Sequence, residues 1–298
     1  MSSPKPFAQL NPEVASDIQL IFFDVDGTLL DSFGHYSAEL QQSLAMLRAR
    51  GFKLAIASGR PPFACQFLID ELGLHDTGLF YTGGLLYRAA NKQSIAQHSL
   101  ALNDARALFA AAQELGLYFE LYDDRQFIVD PKHITAPEIL AEHSKQLRVQ
   151  PHQTDIQALL DSSAEMEVHS SPWLKVLLGE DAMQSSLLAD LERRFPHLHF
   201  AYAKLPAYPS WRFASVIPKA ADKQLAFDAL LKHYGLTAQN VMAFGDAGSD
   251  KVFLQRAGLG VAMGNAAVDV QACADVVCPS SDENGVALAL GHFFGEPC

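Results

Sequence analysis

Eight residues near the N-terminus constrain this 298-residue chain more than any others. The apolar run Ile21-Phe22-Phe23 passes straight into Asp24-Val25-Asp26-Gly27-Thr28. Such a run reads as a buried strand over residues 18–25. Both carboxylates then arrive at its C-terminal edge, where open α/β sheets bind ligands. Two acids at one strand tip repel each other unless a positive group sits between or beside them. A hard divalent cation meets that need and leaves Asp24 able to attack an electrophile. A calcium loop also opens Asp-x-Asp, but it wants Gly at its sixth position and Glu at its twelfth. Here Gly27 is fourth and His35 is twelfth.

The flanking pattern alternates strands with helices. Leu40, Leu44 and Leu47 recur at helical spacing, with Gly51 as the stop. Residues 52–57 read as a second strand ending at Ser58-Gly59-Arg60, and Pro61-Pro62 opens a helix that closes near Gly73. Residues 79–82 form a third strand before Gly83-Gly84. Alternation of this kind predicts a parallel sheet with right-handed crossovers. The middle of the chain differs. It offers a hairpin over 85–100, a helix capped by Asn103 and stopped at Gly116, and paired strands at 118–122 and 126–129. A partly helical stretch spans 138–161. A strand at 173–178, a helix at 181–195 and strands at 198–203 and 211–217 complete an α+β module. Alternation then resumes with a helix over 220–234, a strand over 240–244 and a helix to about 257. Strands at 259–262 and 276–278 and a terminal helix through Phe293 end the chain. The expected fold class is α/β: a Rossmann-like parallel-sheet core, 18–84 and 218–298, interrupted by an α+β insertion at 85–217.

A hydrophobic content of 49% with 19% charged residues describes a folded globular protein. The net charge of −12 argues against a nucleic-acid backbone or an anionic membrane as partner. It leaves room for a small phosphorylated substrate, since a site can be locally positive inside an acidic surface. No apolar stretch approaches membrane-spanning length. The first nine residues are polar and contain Pro, so no secretory leader is expected. Cys65, Cys273, Cys278 and Cys298 show no zinc-like pairing and read as reduced thiols of a cytoplasmic protein.

Gly245-Asp246-Ala247-Gly248-Ser249-Asp250 is a second acidic strand tip. If its strand neighbours the first, Asp24, Asp26 and Asp246 converge, and Asp250 lies one helical turn further on. Oxygen ligands without His or Cys suit Mg2+, which is usually shared with substrate phosphate. Taken alone, the motif also fits a helix N-terminus enriched in acids. Ser58-Gly59 offers a hydroxyl and backbone N–H groups at a helix start, which suits either an anion site or an ordinary N-cap. Lys223 can reach a phosphoryl oxygen or a carboxylate. Lys219 is its alternative, and Arg60 either joins the site or makes a surface contact, with the surface contact favoured. His133, His169 and the other histidines show no ligand-like clustering. Gly258-x-Gly260-x-x-x-Gly264 has the wrong spacing and position for a dinucleotide turn.

Taken together, these motifs and their order resemble the haloacid dehalogenase superfamily of phosphatases, within it the Cof-type group with a large inserted α/β cap. The ends Val261-Ala262-Met263-Gly264-Asn265-Ala266 and Glu283-Asn284-Gly285-Val286 are similar to that group too. The resemblance implies a Mg2+-dependent phosphatase of small phosphorylated metabolites, sugar phosphates first, working through an aspartyl phosphate. It implies that Asp24 is nucleophile and metal ligand. Asp26 is then acid and base, with its backbone carbonyl on the metal. Asp246 ligates Mg2+, and Asp250 supports that shell. Ser58, Gly59 and Lys223 hold the phosphoryl group, with Ser249 at the phosphate or metal shell. Three positions depart from the group's pattern: Ser249 and Thr82 stand where Asn is frequent, and Gln224 where Gly is common. A phosphomutase or other phosphotransferase on the same scaffold, or a weakly active binding protein, is the rival expectation.

Overall fold

The structure is a computed structural model that describes residues 5–163, 172–181, 186–205 and 207–295. His169, Cys298 and residues 182–185 of the helix expected at 181–195 lie outside the described residues. By internal packing the chain forms two compact units.

The first unit comprises Met1–Arg60, Gln66–Ile95 and Asp222–Cys298. It starts with a short edge strand, β1 (Lys5–Pro6), too brief and polar to be read from sequence. Strand β2 (Leu20–Phe23) is buried at every position. Helix α1 (Ala38–Ala49), capped by the Ser37 hydroxyl, turns Leu40, Leu44 and Leu47 inward. Next come β3 (Lys53–Ile56), α2 (Gln66–Leu72), β4 (Thr77–Phe80), β5 (Leu85–Arg88) and β6 (Gln93–Gln97). The expected third parallel strand, β4, leaves the sheet early. It touches the β3 side through one isolated parallel bridge, Ala57 to Leu79, and then pairs antiparallel with β5. The turn at Tyr81–Gly83 reverses the chain, so the β4 backbone groups are used in a small sheet of order β4-β5-β6.

The second unit comprises Pro61–Cys65 and Ala96–Ala221. Its elements are α3 (Leu102–Leu115), β7 (Tyr118–Tyr122), β8 (Phe127–Val129), α4 (Pro137–Leu147), β9 (His152–Gln153), α5 (Ile156–Ser162), β10 (Lys175–Asp181), α6 (Leu187–Arg194), β11 (Leu198–Leu205) and β12 (Tyr208–Pro218). The sheet order is β11-β12-β10-β7-β8-β9. Because side chains alternate along a strand, Phe119, Leu121, Val176, Leu178, Ala214 and Val216 share one face. They form a core with Leu108, Phe109, Ile156, Leu188 and Leu191 of α3, α5 and α6. Helix α3 starts one residue before the expected Asn103 cap, with Ala101 as N-cap, since the Leu100 N–H is already anchored on the Trp173 carbonyl. Strand β10 runs on to Asp181, paired with Trp211, so the following helix begins only at Leu187.

The chain then returns to the first unit as α7 (Lys223–Tyr234), β13 (Val241–Gly245), α8 (Lys251–Arg256), β14 (Leu259–Ala262), α9 (Val268–Gln271), β15 (Val276–Val277) and α10 (Gly285–Phe294). The main sheet has the order β1-β15-β14-β13-β2-β3, all parallel. Phe22 packs at this core with Phe227 and Phe253 from α7 and α8. Among the described residues no helix is long and apolar enough to cross a membrane.

Candidate active site

Strands β2 and β13 are parallel neighbours with Phe23 opposite Phe244. Asp24 and Asp246 therefore leave the sheet at the same edge. Asp24, Asp246 and Asp250 each place a carboxylate oxygen within 4.8 Å of the others. The approach is close enough to dictate glycines. Gly27 has φ +74°, and a Cβ there would stand 2.4 Å from Asp246 Oδ2. A Cβ on Gly245 would stand 2.5 Å from Asp250 Cβ. Asn265 ties the two tips together: its Nδ2 donates to the Gly27 carbonyl at 2.9 Å and to Asp246 Oδ2 at 3.1 Å, while its Oδ1 accepts from Ser281 N–H.

Lys223 is the first residue of α7, whose N-cap Asp222 accepts from Gln224 and Leu225 N–H. Its buried ammonium donates to the buried Asp250 at 2.9 Å. The Asp250 oxygens also accept from Ala247 N–H at 3.0 Å and from the Ser249 hydroxyl at 3.2 Å. Ser249 thus keeps a hydrogen bond to this carboxylate with a shorter side chain than Asn. Lys219, the alternative lysine, belongs to the other unit, where it donates to the Pro196 carbonyl.

Burial, then the charge of Asp250, push the Asp24 carboxyl well above its ordinary value; Lys223 opposes them, and Asp26 and Asp246 add to the rise. Asp246 is pushed up to about 6 by burial, then by Asp250 and Asp26, against the Asn265 hydrogen bond. Asp246 Oδ1 is buried and meets no hydrogen-bond donor among the described residues. A bare buried acceptor costs about 1–3 kcal/mol, more if charged. A cation beside it removes that penalty and favours the ionised form of both acids. The donor set is oxygen only, so the group that fits is a hard cation of the Mg2+ type.

Asp26 stands apart. Its side chain is 62% exposed and lies in a two-pronged ion pair with Arg60. Arg60 is therefore bound to a candidate site residue rather than being a generic surface contact. Ser58 is buried, and its hydroxyl accepts from Arg60 N–H at 3.2 Å, a local turn bond. Gly59 lies beside Thr82, whose Oγ1 would stand 3.4 Å from a Gly59 Cβ. Sequence reasoning gave Asn265 no role, and for Arg60 it favoured a surface contact over a place in the site. An amide in a loop carries no periodic signal, and an arginine reveals its partner only once the loops meet.

A parallel-sheet core with acids at adjoining strand tips defines a class of hydrolases. A sequence profile of haloacid dehalogenase-like hydrolases matches residues 21–290, and the chain belongs to that family, in its Cof-type phosphatase group. It is 24% identical over 275 residues to a putative phosphatase, YxeH, of Bacillus subtilis, covering 91% of this chain and 97% of that one. Its fold matches the crystal structure of a haloacid dehalogenase-like hydrolase from Bacteroides thetaiotaomicron with a TM-score of 0.80 and 27% identity, over 93% of this chain and all 100% of the other. It also matches the fold of BT4131, a sugar phosphatase of subclass IIB, with a TM-score of 0.72 at 23% identity over 92% and 98% of the two chains.

Proposed function

We propose that this protein hydrolyses small phosphorylated metabolites, with Mg2+, through an aspartyl phosphate on Asp24. The observation that carries the reading is the meeting of Asp24, Asp246 and Asp250 oxygens within 4.8 Å, with the Lys223 ammonium on Asp250. Mg2+ would be held by Asp24, Asp246 and the Asp26 backbone carbonyl, with Asp250 supporting the shell. When bound it supplies positive charge that lets an anionic nucleophile approach a phosphate dianion. The remaining steps belong to side chains. Asp24 attacks phosphorus, and the bond from phosphorus to the leaving oxygen breaks as Asp26 protonates that oxygen. Asp26 then takes a proton from water as the water attacks the phosphorus, and Asp24 departs as a carboxylate. Lys223, Ser58 and Gly59 hold the phosphoryl oxygens, with Ser249 beside them. The residues at 85–217 would choose the substrate. Sugar phosphates lead as a class, supported by the fold-level likeness to a sugar phosphatase.

The test is turnover of p-nitrophenyl phosphate with and without Mg2+, followed by a panel of sugar phosphates and phosphorylated cofactors. Expected are metal-dependent hydrolysis, its loss on chelation, and 18O from labelled water in the released phosphate. Phosphate appearing on a second sugar instead would establish a phosphotransferase. Equal rates with and without metal would remove the Mg2+ reading.

A further inference from the structure

Asp26 is the candidate acid outside the group of carboxylates that meet within 4.8 Å, and Arg60 grips it. Arg60 Nε donates to Asp26 Oδ2 at 2.8 Å and Nη2 donates to Oδ1 at 2.6 Å. A fork of this kind fixes the plane of a carboxylate as well as its distance, which a lysine ammonium cannot do. The two partners differ in support. Asp26 is 62% exposed, Arg60 only 18%. The Asp26 backbone is steadied by a lone bridge to Leu30. Arg60 is clamped on both sides: its N–H donates to Ser58 Oγ at 3.2 Å and its carbonyl accepts from Tyr81 N–H at 3.3 Å. Thr82 N–H closes the clamp by donating to the Ser58 carbonyl at 3.3 Å.

The clamp is built from unusual backbone. Tyr81 and Thr82 sit in the left-handed region at φ 52° and 58°, and Gly83 follows at φ 92°. A non-glycine residue there costs roughly 1–3 kcal/mol and persists only where its surroundings over-determine it. The strained turn, the buried Ser58 and the guanidinium thus form one stiff platform ending on the Asp26 carboxylate.

We infer that Arg60 is the positioning residue for Asp26, setting the orientation from which that carboxylate serves the leaving oxygen. This rests on the reading of Asp26 as acid and base given above. Arg60 acts through Asp26, so its loss should be felt where the leaving oxygen needs a proton. An alkyl phosphate such as glucose 6-phosphate needs one when its P–O bond breaks; p-nitrophenolate departs without one.

The experiment measures kcat/KM for both esters in the full-length protein with Mg2+, comparing wild type, Arg60→Ala, Arg60→Gln and Arg60→Lys, with a thermal melt of each. The expected result is a preference for the aryl over the alkyl ester that grows about 10- to 100-fold in all three variants, a modest share of general-acid catalysis. A purely structural role would lower both esters alike; that result, an unchanged ratio, or full rescue by Lys overturns the inference. Arg60→Gln keeps most of the side-chain volume and carries the test if Arg60→Ala melts early. Asp24→Asn is assayed alongside. If it keeps wild-type turnover, the underlying mechanism falls and this inference with it; if it is dead while the ester ratio stays constant, only the role of Arg60 falls.

Discussion

Glu120 of the second unit is 0% exposed, yet it accepts hydrogen bonds from the Tyr118 and Tyr122 hydroxyls and from His143 Nδ1 at 2.9 Å. Asp246 of the first unit is also partly buried, but its Oδ1 meets no donor among the described residues. Burial pushes Glu120 upward, but the charge of His143 and the three hydrogen bonds outweigh it, and the carboxyl ends below its ordinary value. At Asp24 and Asp246, burial and like charge act together and the carboxyls end above theirs. The same residue chemistry is thus completed internally in one unit and left incomplete in the other. The completed network suits an architectural role for Glu120, and the open acceptor on Asp246 is what the proposed Mg2+ would complete.

The contrast can be broken most severely at Asp24. Asp24→Asn should lower kcat by at least about 10^4-fold, as loss of a nucleophile does. Its metal-free melting temperature should hold or rise, because like-charge repulsion is relieved; a clear drop would show that the acids are structural. Glu120→Ala should do the opposite, removing about 3–5 kcal/mol of stability in urea by stranding a buried network. The Glu120 contribution is expected to be fully present above its unfolded value of 4.5 and to be lost as pH falls through the lower folded value. Less than about 1 kcal/mol would equate this group with an exposed ion pair.

Lys175 sharpens the comparison from the basic side. Its ammonium lies 3.9 Å from the Tyr122 ring centre, and burial, opposed by Glu120, brings it from 10.5 down to about 8. Between about pH 8 and 10.5 the unfolded chain holds this proton more tightly, so stability should climb with pH across that window. Lys175→Met should abolish the climb and add about 1–3 kcal/mol at pH 7, as apolar replacements of buried ions can. A flat wild-type profile there would show that Lys175 is not desolvated. The smallest effect belongs to Thr82→Asn, which should add about 1 kcal/mol because Asn tolerates the left-handed region better than a β-branched residue. A loss in the thermal melt would mean that the Thr82 methyl group is needed for packing.

Much of the core was legible because its signals are local. The apolar run ending at Asp24, the glycine stops at Gly51 and Gly235, and the acids after Phe244 all announce elements through their own neighbours. What stayed hidden depended on contacts between distant segments. The departure of β4 from the parallel sheet follows from a reversal at Tyr81–Gly83 in which two residues without glycine's freedom adopt positive φ. The tie from Asn265 to Gly27 and Asp246, and the fork from Arg60 to Asp26, join residues from separate stretches of chain. The Glu120 network was invisible for a further reason: Tyr118, Glu120 and Tyr122 read simply as alternate residues of a strand.

The pairing of Leu20 with Val241 has a consequence for how the molecule is made. During synthesis, Leu20–Phe23 leaves the ribosome well before Val241–Gly245, so the strand that covers one of its flanks is translated only after the whole insertion. Throughout that interval the newborn chain carries a fully apolar strand with an open side. Such an edge is a ready template for association with other chains. Messages cut short before Gly245 should therefore yield aggregates instead of a smaller working enzyme.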